Sequence, residues 1–304
     1  MIGNTFQFAW EVKLIEWCQT YIPASIIKML EIVSYIGDTV FLVAIMCIAY
    51  LCIDKKFGKR LMFNTVLGLM LGAGIKNIFN RRRPYFDNEN IKCLKIVDKN
   101  YDLYDIRKQG FSFPSLHSSN ITTVFGTIYE YYKKNAYLVI AICGSLIVGV
   151  SRFVLGCHYP TDVLIGWILG VFNIVIFGKI QDKLEDKYLY LFIIGMGLLG
   201  SLYCESADFY SGFGIAIGFI LANIIDKKYI NFKNTKNIVS MILRLLIACG
   251  TFLLFAEGAK LLLPMEVQEA NTYFAYIFRT VRYALGTFVG LGLTPALFKY
   301  KILK

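Results

Sequence analysis

Residues 136–180 read AYLVIAICGSLIVGVSRFVLGCHYPTDVLIGWILGVFNIVIFGKI, and this stretch decides the class of fold. It contains two apolar runs, 136–157 and 160–180. Each run is close to the roughly 20 helical residues that cross a bilayer. Pro160 begins the second run, and proline is common at the first position of a helix. The pattern therefore predicts two consecutive membrane-spanning helices.

The rest of the chain extends this pattern. Of its 304 residues, 57% are hydrophobic and only 17% are charged, and the mean hydropathy is +0.55. A water-soluble domain of this length cannot bury so much apolar surface. The alternating short strands that a membrane barrel requires are missing from the sequence. We predict an all-α, polytopic transmembrane helical bundle of about nine spans, the other seven being 33–53, 60–79, 114–133, 188–204, 207–225, 237–263 and 271–298.

The N-terminal residues 1–31 differ from the predicted spans. The stretch FQFAWEVKLIEWCQTYI mixes aromatic residues with Glu and Lys, which is typical of a helix lying at the membrane interface. No cleavable signal peptide is evident. The eight cysteines show no paired spacing, so they predict neither a disulfide framework nor a zinc site.

The net charge of +11 is concentrated in alternate loops, which argues against a nucleic-acid partner. Lys-rich loops lie on the cytoplasmic side of membrane proteins, and this rule places the C-terminal segment 298–304 in the cytoplasm. The exception is segment 80–112, predicted to lie outside, which carries eight basic residues. The length of its part 85–112 is consistent with a lid over a site and equally with an inert insertion.

Under this topology, seven polar residues fall at the outer ends of the second to fifth spans. Taken singly, each has a local explanation, such as a lysine reaching towards headgroups or a serine that begins a helix. Together they are costly near lipid unless they serve an anionic ligand. The seven residues are Lys76, Arg83, Ser115, His117, Arg152, His158 and Asp162.

The spacing of these residues suggests a reaction. Asp162 follows His158 by four residues, so its carboxylate can hold one ring N–H and leave the other nitrogen to attack. Ser115 and the N–H groups after Pro114 form a helix N-terminus, which favours phosphate. The three cations can surround the oxygens of a phosphoryl group, and His117 remains as the acid. The residues point to phosphoryl transfer through a phosphohistidine.

The same residues resemble the type 2 phosphatidic acid phosphatase superfamily, whose motifs are K-x6-R-P, P-S-G-H and S-R-x5-H-x3-D. This chain has KNIFNRRRP at 76–84, PSLH at 114–117 and SRFVLGCHYPTD at 151–162. The resemblance covers about residues 30–180. It implies a phosphatase core of five to six helices over 32–187 and a C-terminal transmembrane extension over 188–304.

The resemblance also implies a role for each matching position. His158 would be the nucleophile, Asp162 would fix its tautomer, and His117 would be the acid and then the base. The residues implied to bind phosphate are Lys76, Arg83, Ser115, Arg152 and the backbone at Leu116. Neither a metal nor another cofactor is implied.

Leu116 departs from the family pattern, which has glycine there. If residue 116 lies in the first helical turn, its φ is negative and leucine is allowed. We then expect its side chain to face lipid or to line the entrance for acyl chains, and we expect activity to survive.

The extension carries charges within apolar runs, at Arg244, Glu257, Lys260, Arg279 and Arg282. Glu257 and Lys260 are three residues apart and can neutralise each other, while Glu257 is also a candidate partner for the two last arginines. These charges are consistent with a second site for a lipid headgroup, and equally with ion pairs that only order the helix bundle.

The sequence thus predicts a multi-pass cell-membrane lipid phosphatase with its active site facing outside. It would hydrolyse a phosphomonoester or diphosphate on a lipid. A phosphoryl transferase acting on a second lipid and a lipid or anion transporter that reuses the fold are the alternatives. The 23 Lys against 9 Arg fit an AT-rich bacterial genome. The particular substrate and the oligomeric state stay open.

Overall fold

The structure, a computed structural model, describes residues 3, 4, 6–96, 101–270 and 272–299. Within these residues all regular elements are helical, apart from one isolated bridge between Asn4 and Arg81. The α-helices are α1 (Ala9–Tyr21), α2 (Ala24–Ser34), α3 (Thr39–Ile48), α4 (Lys55–Phe79), α5 (Pro84–Asp87), α6 (Ile106–Gln109), α7 (Leu116–Tyr132), α8 (Asn135–Val154), α9 (Pro160–Phe172), α10 (Gly178–Lys183), α11 (Asp186–Ser201), α12 (Ala207–Ile225), α13 (Ile238–Ala256), α14 (Met265–Glu269) and α15 (Tyr273–Thr287).

Short 3₁₀ and π segments extend several of these helices or join them. The 3₁₀ segments are Tyr35–Gly37, Gly258–Leu262 and Thr294–Lys299, and the π segments are Ala49–Ile53, Asn173–Phe177, Asp226–Ile230 and Phe288–Leu293.

The all-α class and the multi-pass character are confirmed, but the count of nine spans is not. In the described residues six helices are long and apolar enough to cross a membrane, and a bent pair, Ala24–Gly37 with Phe41–Ile53, brings the number to seven. The predicted spans 114–133 and 188–204 form α7 and α11, of 17 and 16 residues. These two helices are shorter than the roughly 20 residues of a full span. The predicted cytoplasmic C-terminus lies largely outside the described residues.

The chain divides into two compact units, Met1–Leu42 with Leu71–Val175 and Val43–Met70 with Ile176–Lys304. In the first unit α7 contacts both α8 and α9, and α8 also contacts α2. The Trp167 indole fills the space beside Gly149, and its Nε1 donates to the Ser145 carbonyl at 3.0 Å. Helices in lipid associate through such close packing and interhelical hydrogen bonds, because lipid tails are as apolar as the side chains.

Glycines allow α9 to lie against α7. A Cβ on Gly166 would come within 2.6 Å of the Ser115 carbonyl oxygen, and one on Gly170 within 2.6 Å of the Thr122 Cβ. A side chain at either position would force the helices apart. This close approach fixes the start of α9 beside the start of α7.

The N-terminal segment does form helices, but α1 is held by protein on one face. Ile15 packs in a buried cluster with Tyr85, Ile91 and Tyr159. Glu11 on the same face is completely buried. The helix therefore contributes a charged group to the interior of the first unit.

In the second unit, α12 packs against α11 and α15, and α13 packs against α15. A Cβ on Gly214 would lie 2.4 Å from the Thr280 carbonyl oxygen, and one on Gly218 would lie 2.3 Å from that of Ala284. The small residues of 212–218 thus permit close helix packing.

Candidate active site

All eight predicted site residues lie in the first unit. They come from the ends of five helices and from the turn between α8 and α9. Lys76 is in the last turn of α4, Arg83 precedes α5, and Arg152 is in the last turn of α8. Ser115 caps α7, Leu116 and His117 are in its first turn, His158 lies in the α8–α9 turn, and Asp162 is in the first turn of α9.

The turn that carries His158 depends on Gly156. This residue has φ +73, and a Cβ there would lie 2.3 Å from the Lys92 carbonyl oxygen. Only glycine adopts such a conformation at low cost. After the turn, the amides of Cys157 and His158 both donate to the Arg152 carbonyl, at 3.0 and 3.3 Å. His158 is thereby fixed close to Arg152 and is 2% exposed.

Four other site residues act electrostatically on His158. Burial lowers the pKa of His158 well below its ordinary value, and the positive charges of Arg83, Lys76 and Arg152 lower it further, followed by His117. The site therefore favours the neutral form of the imidazole. A neutral ring is the form that can attack phosphorus.

Asp162 lies beside His158, but its carboxylate accepts hydrogen bonds from other residues. The His158 Nδ1 is 3.6 Å from Asp162 Oδ2, longer than a hydrogen bond, and it has no hydrogen-bond partner among the described residues. Asp162 Oδ2 accepts from the Tyr159 amide at 2.8 Å and from the Ser112 hydroxyl. Asp162 Oδ1 accepts from Arg81 Nη1 at 2.6 Å. The carboxylate is thus fixed beside the imidazole by three donors.

Arg81 is a residue that the sequence analysis missed. It is completely buried, with Nη2 2.7 Å from Glu11 Oε2 and Nη1 2.6 Å from Asp162 Oδ1. Its guanidinium also stacks 3.9 Å from the centroid of the Tyr159 ring. Since Arg81 stands in the RRR run two positions before Arg83, the run itself was the available signal.

Two of the three predicted phosphate-binding cations also hold the segment before α7. Arg83 Nε donates to the carbonyls of Gln109 and Gly110, both at 3.0 Å, and its Nη1 donates to the Cys157 carbonyl at 3.0 Å. Lys76 Nζ donates to the Phe111 carbonyl at 2.5 Å. Arg83 therefore ties the end of the long connection to the turn that carries His158, and Lys76 ties it to the end of α4.

Arg152 differs from these two cations. It is 1% exposed, and its Nε and Nη1 have no hydrogen-bond partner among the described residues. A buried guanidinium with unused donors is strongly unfavourable unless an anion accepts from it. Arg152 therefore indicates where an anionic group binds in this unit.

Ser115 joins α7 to α9. Its amide donates to the Asp162 carbonyl at 3.0 Å, and its Oγ accepts from the Ser118 hydroxyl at 2.9 Å and the Ser118 amide at 3.4 Å. The first amides of a helix have no acceptor within the helix, so those of Leu116 and His117 are suited to bind an anion.

Leu116 is the first residue of α7 and is not among the residues with positive φ, so leucine fits the backbone. The expectation that its side chain faces lipid or an acyl entrance is wrong. Leu116 is 7% exposed and lies in the space beside Gly72 of α4, where a Cβ would come within 2.4 Å of Leu116 Cδ2. Close packing of α4 on α7 turns the side chain inward.

We expect Leu116→Gly to retain phosphatase activity while it destabilises the protein by about 2 kcal/mol or more, the lower range for emptying a buried leucine site. Thermal unfolding in detergent, with activity per folded molecule, measures both quantities. A variant of wild-type stability that has lost activity would contradict this packing role.

His117 has a partner that the sequence analysis also missed. Its Nε2 is 2.6 Å from Asp38 Oδ1. Lys95 Nζ lies 3.3 Å from both Asp38 oxygens and donates to the Ser34 hydroxyl at 2.8 Å. Gly37 allows the approach, because a Cβ there would lie 3.1 Å from His117 Cδ2. An aspartate inside the apolar run 33–53 was the signal for this contact.

The long connection is anchored in its described parts. The Leu94 amide donates to the Leu155 carbonyl at 2.9 Å, and the Lys92 amide donates to Gln19 Oε1 at 3.0 Å. Residues 97–100 of this segment lie outside the described residues. The connection thus contributes Lys95 to the site from an attached position.

Residues 57–186 match the model of the PAP2 superfamily, and residues 210–303 match that of the transmembrane extension of PAP2 superfamily phosphatases. The chain belongs to the PAP2 superfamily. This is the family of type 2 phosphatidic acid phosphatases that the three motifs resemble. The PAP2 match includes all the predicted site residues, and the second match falls in the C-terminal extension.

Similar PAP2 proteins carry names of lipid phosphatases. The chain is 28% identical over 116 residues to an undecaprenyl-diphosphatase of Sulfolobus acidocaldarius, covering 38% of this chain and 51% of the relative. It is 27% identical over 170 residues to sphingosine-1-phosphate phosphatase 1 of Rattus norvegicus, covering 52% and 37%. It is 31% identical over 90 residues to phosphatidylglycerophosphatase B of Bacillus subtilis, covering 26% and 44%.

The chain thus spans about half or less of the length of these relatives. A search of solved structures gives no significant match.

Proposed function

We propose that this PAP2 protein is an integral membrane lipid phosphatase that works through a phosphohistidine. The observation that carries the proposal is the state of Arg152. Its buried guanidinium has unused donors, and its carbonyl accepts from the His158 amide at 3.3 Å. The names of the relatives support a lipid that ends in a phosphate or diphosphate. The Lys-rich alternate loops support an active site at the outer face.

In the first step, Lys76, Arg83, Arg152, Ser115 and the first amides of α7 bind the terminal phosphoryl group. Because Asp162 lies on the Nδ1 side of His158, the Nε2 nitrogen attacks phosphorus. The bond between phosphorus and the leaving oxygen breaks, and His117 gives this oxygen a proton. The products are a phosphorylated His158 and a dephosphorylated lipid, or a lipid monophosphate if the substrate is a diphosphate.

In the second step, His117 takes a proton from water, and the water oxygen attacks phosphorus. The phosphorus–nitrogen bond breaks, and inorganic phosphate leaves. The positive charges stabilise the phosphoryl oxygens in both steps. Arg81 contributes indirectly, because it holds Asp162 beside His158.

The proposal predicts phosphate release by the purified protein in detergent from at least one of three lipid classes. These are an isoprenyl diphosphate, a phosphatidylglycerol phosphate and a sphingoid phosphate, and release is expected to persist in a metal chelator. Lack of release from all three classes by a folded protein would contradict the proposal. Release of a labelled phosphoryl group to a second lipid would indicate the transferase instead.

Burial, followed by the charge of Arg152, lowers the pKa of His117 to about 3, although the hydrogen bond and charge of Asp38 act to raise it. Asp38 would therefore orient His117 and favour the protonated ring that the acid step needs. We therefore expect Asp38→Asn to lower kcat about 10- to 100-fold, the effect typical of losing part of acid catalysis, with little change in KM. Without the carboxylate, His117 loses its proton more readily. The alkaline limb of the kcat profile should therefore move to lower pH.

Asp87→Asn is the matched control, because Asp87 pairs with Arg82 in the same unit and contacts neither histidine. Its kcat profile should match that of the wild type. An unchanged profile in Asp38→Asn would show that the Asp38 contact has no part in catalysis.

A further inference from the structure

Two arginines on α15, in the second unit, have no role in the proposed reaction. Arg279 and Arg282 are three residues apart, so their side chains share one face of the helix. At a rise of about 1.5 Å per residue they lie roughly 9 and 14 Å from Tyr273, where α15 begins. Two like charges at this spacing destabilise a helix, and their depth in an apolar helix adds a desolvation cost.

Arg282 is buried without hydrogen-bond partners for part of its guanidinium. It is 3% exposed, and its Nε and Nη1 find no acceptor among the described residues. Its nearest compensation is aromatic, since the guanidinium carbon lies 5.6 Å from the centroid of Phe278 and 5.7 Å from that of Tyr283. Ring faces at this distance offset only part of the cost of a buried charge.

The interhelical ion pair that the sequence suggests does not account for Arg282. Glu257 is close enough to act on the Arg282 charge, but its carboxylate forms an ion pair with Lys260 on its own helix. Arg282 also lies too deep in the fold to reach water as a surface arginine does. Among the described residues, Glu257 and Arg282 therefore do not form an ion pair that would order the helix bundle.

Arg279 acts on the charge of Arg282 and itself contacts a hydroxyl group. Arg279 is half-buried, and its Nη1 donates to the Ser211 Oγ of α12 at 3.3 Å. All the groups here are donors or can donate, and a phosphate oxygen is the ligand that uses arginine donors best. The two histidines of the chain are at 117 and 158, so this cluster lacks the nucleophile and acid of the PAP2 site.

We infer that Arg279, Arg282 and Ser211 form a second, non-catalytic binding site that takes the phosphate of an anionic membrane phospholipid. The phosphate accepts from the unused Arg282 donors and from Arg279, and its charge offsets the repulsion between the two arginines. The depth of the site below the start of α15 favours a lipid headgroup whose acyl chains stay in the bilayer. The extension thus holds a structural or regulatory lipid independently of turnover.

The test is the thermal unfolding of the full-length protein in an uncharged detergent. Binding to the folded state stabilises it by RT ln(1 + L/Kd), where L is the free ligand concentration, so Tm rises with ligand concentration and more steeply for tighter binding. The probes are phosphatidylglycerol, inorganic phosphate and diacylglycerol, and the variants are Arg282→Gln, Arg279→Gln and Arg60→Gln. Arg60 is the control, because it belongs to the same unit and pairs with Asp182 at 2.5 Å.

We expect phosphatidylglycerol to raise Tm with concentration in the wild type, in Arg60→Gln and in His158→Ala. In Arg282→Gln and Arg279→Gln the apparent affinity should fall at least tenfold. If Arg282→Gln does not fold, the apparent affinity of Arg279→Gln alone tests the inference. Because His158→Ala keeps the cations of the PAP2 site, the loss of affinity in Arg279→Gln is the result that separates the two sites.

Wild-type lipid affinity in Arg279→Gln, or an equal rise with diacylglycerol, would overturn the inference. An equal rise with inorganic phosphate that Arg279→Gln also weakens would overturn the assignment to a lipid.

Discussion

Replacing His158 with alanine is expected to reduce phosphate release roughly 10⁴-fold or more, as loss of a catalytic nucleophile does in other enzymes. The substitution removes the atom that would form the bond to phosphorus, while the cations that would bind phosphate stay in place. KM should therefore change much less than kcat. Phosphate release from the preferred lipid, measured with purified variants, gives both constants.

The matched control for His158→Ala is Cys157→Ala. Cys157 is the adjacent buried residue in the same turn, and its carbonyl, which accepts from Arg83, stays in place. Cys157→Ala should keep activity within a few-fold of the wild type. Near-normal activity in a folded His158→Ala protein would contradict the proposed mechanism.

The second large effect concerns stability. Arg81→Met leaves Asp162 and Glu11 buried without their shared partner, since all three side chains are 0% exposed. Breaking a buried ion pair from one side costs about 3–5 kcal/mol. We expect a large fall in the free energy of unfolding, together with loss of activity, because Asp162 is released from its position beside His158. Denaturant unfolding in mixed micelles measures the stability.

Arg82→Met is the control for Arg81→Met. Arg82 is the next residue and pairs with Asp87 at 2.7 Å, but the two side chains are 26% and 14% exposed. Pairs open to solvent contribute about 0–1 kcal/mol, so this variant should be close to the wild type. Equal destabilisation by the two substitutions would show that the buried ion pairs of Arg81 contribute no more to stability than the exposed pair of Arg82.

Short-range sequence patterns predicted a large part of the site. The four-residue spacing of His158 and Asp162 places both beside the start of α9, and the prolines at 114 and 160 mark the starts of α7 and α9 within two residues. These features depend on local helical geometry, which a sequence carries directly. The all-α class follows in the same way from the length of the apolar runs.

Contacts between distant segments were beyond sequence reasoning. Arg81 and Glu11 are 70 positions apart, and His117 and Asp38 are 79 positions apart. Each pair forms only because helices pack, and a single sequence does not state which helix faces which. The inward direction of Leu116 has the same origin, since it depends on the space beside Gly72. The predicted spans 114–133 and 188–204 became helices of 17 and 16 residues, because α7 begins only after its Ser115 cap and α11 ends at Ser201.

The central claim is that His158 becomes phosphorylated, and trapping the intermediate tests it most directly. A nitrophenyl phosphate ester needs no proton on its leaving group, so His117→Ala should still form the phosphoenzyme but hydrolyse it slowly. Mass spectrometry of this variant after brief reaction and an alkaline quench should find one phosphoryl group on His158, and none in the double variant with His158→Ala. A phosphoryl group on another residue, or hydrolysis by the double variant at the rate of His117→Ala, would contradict the account.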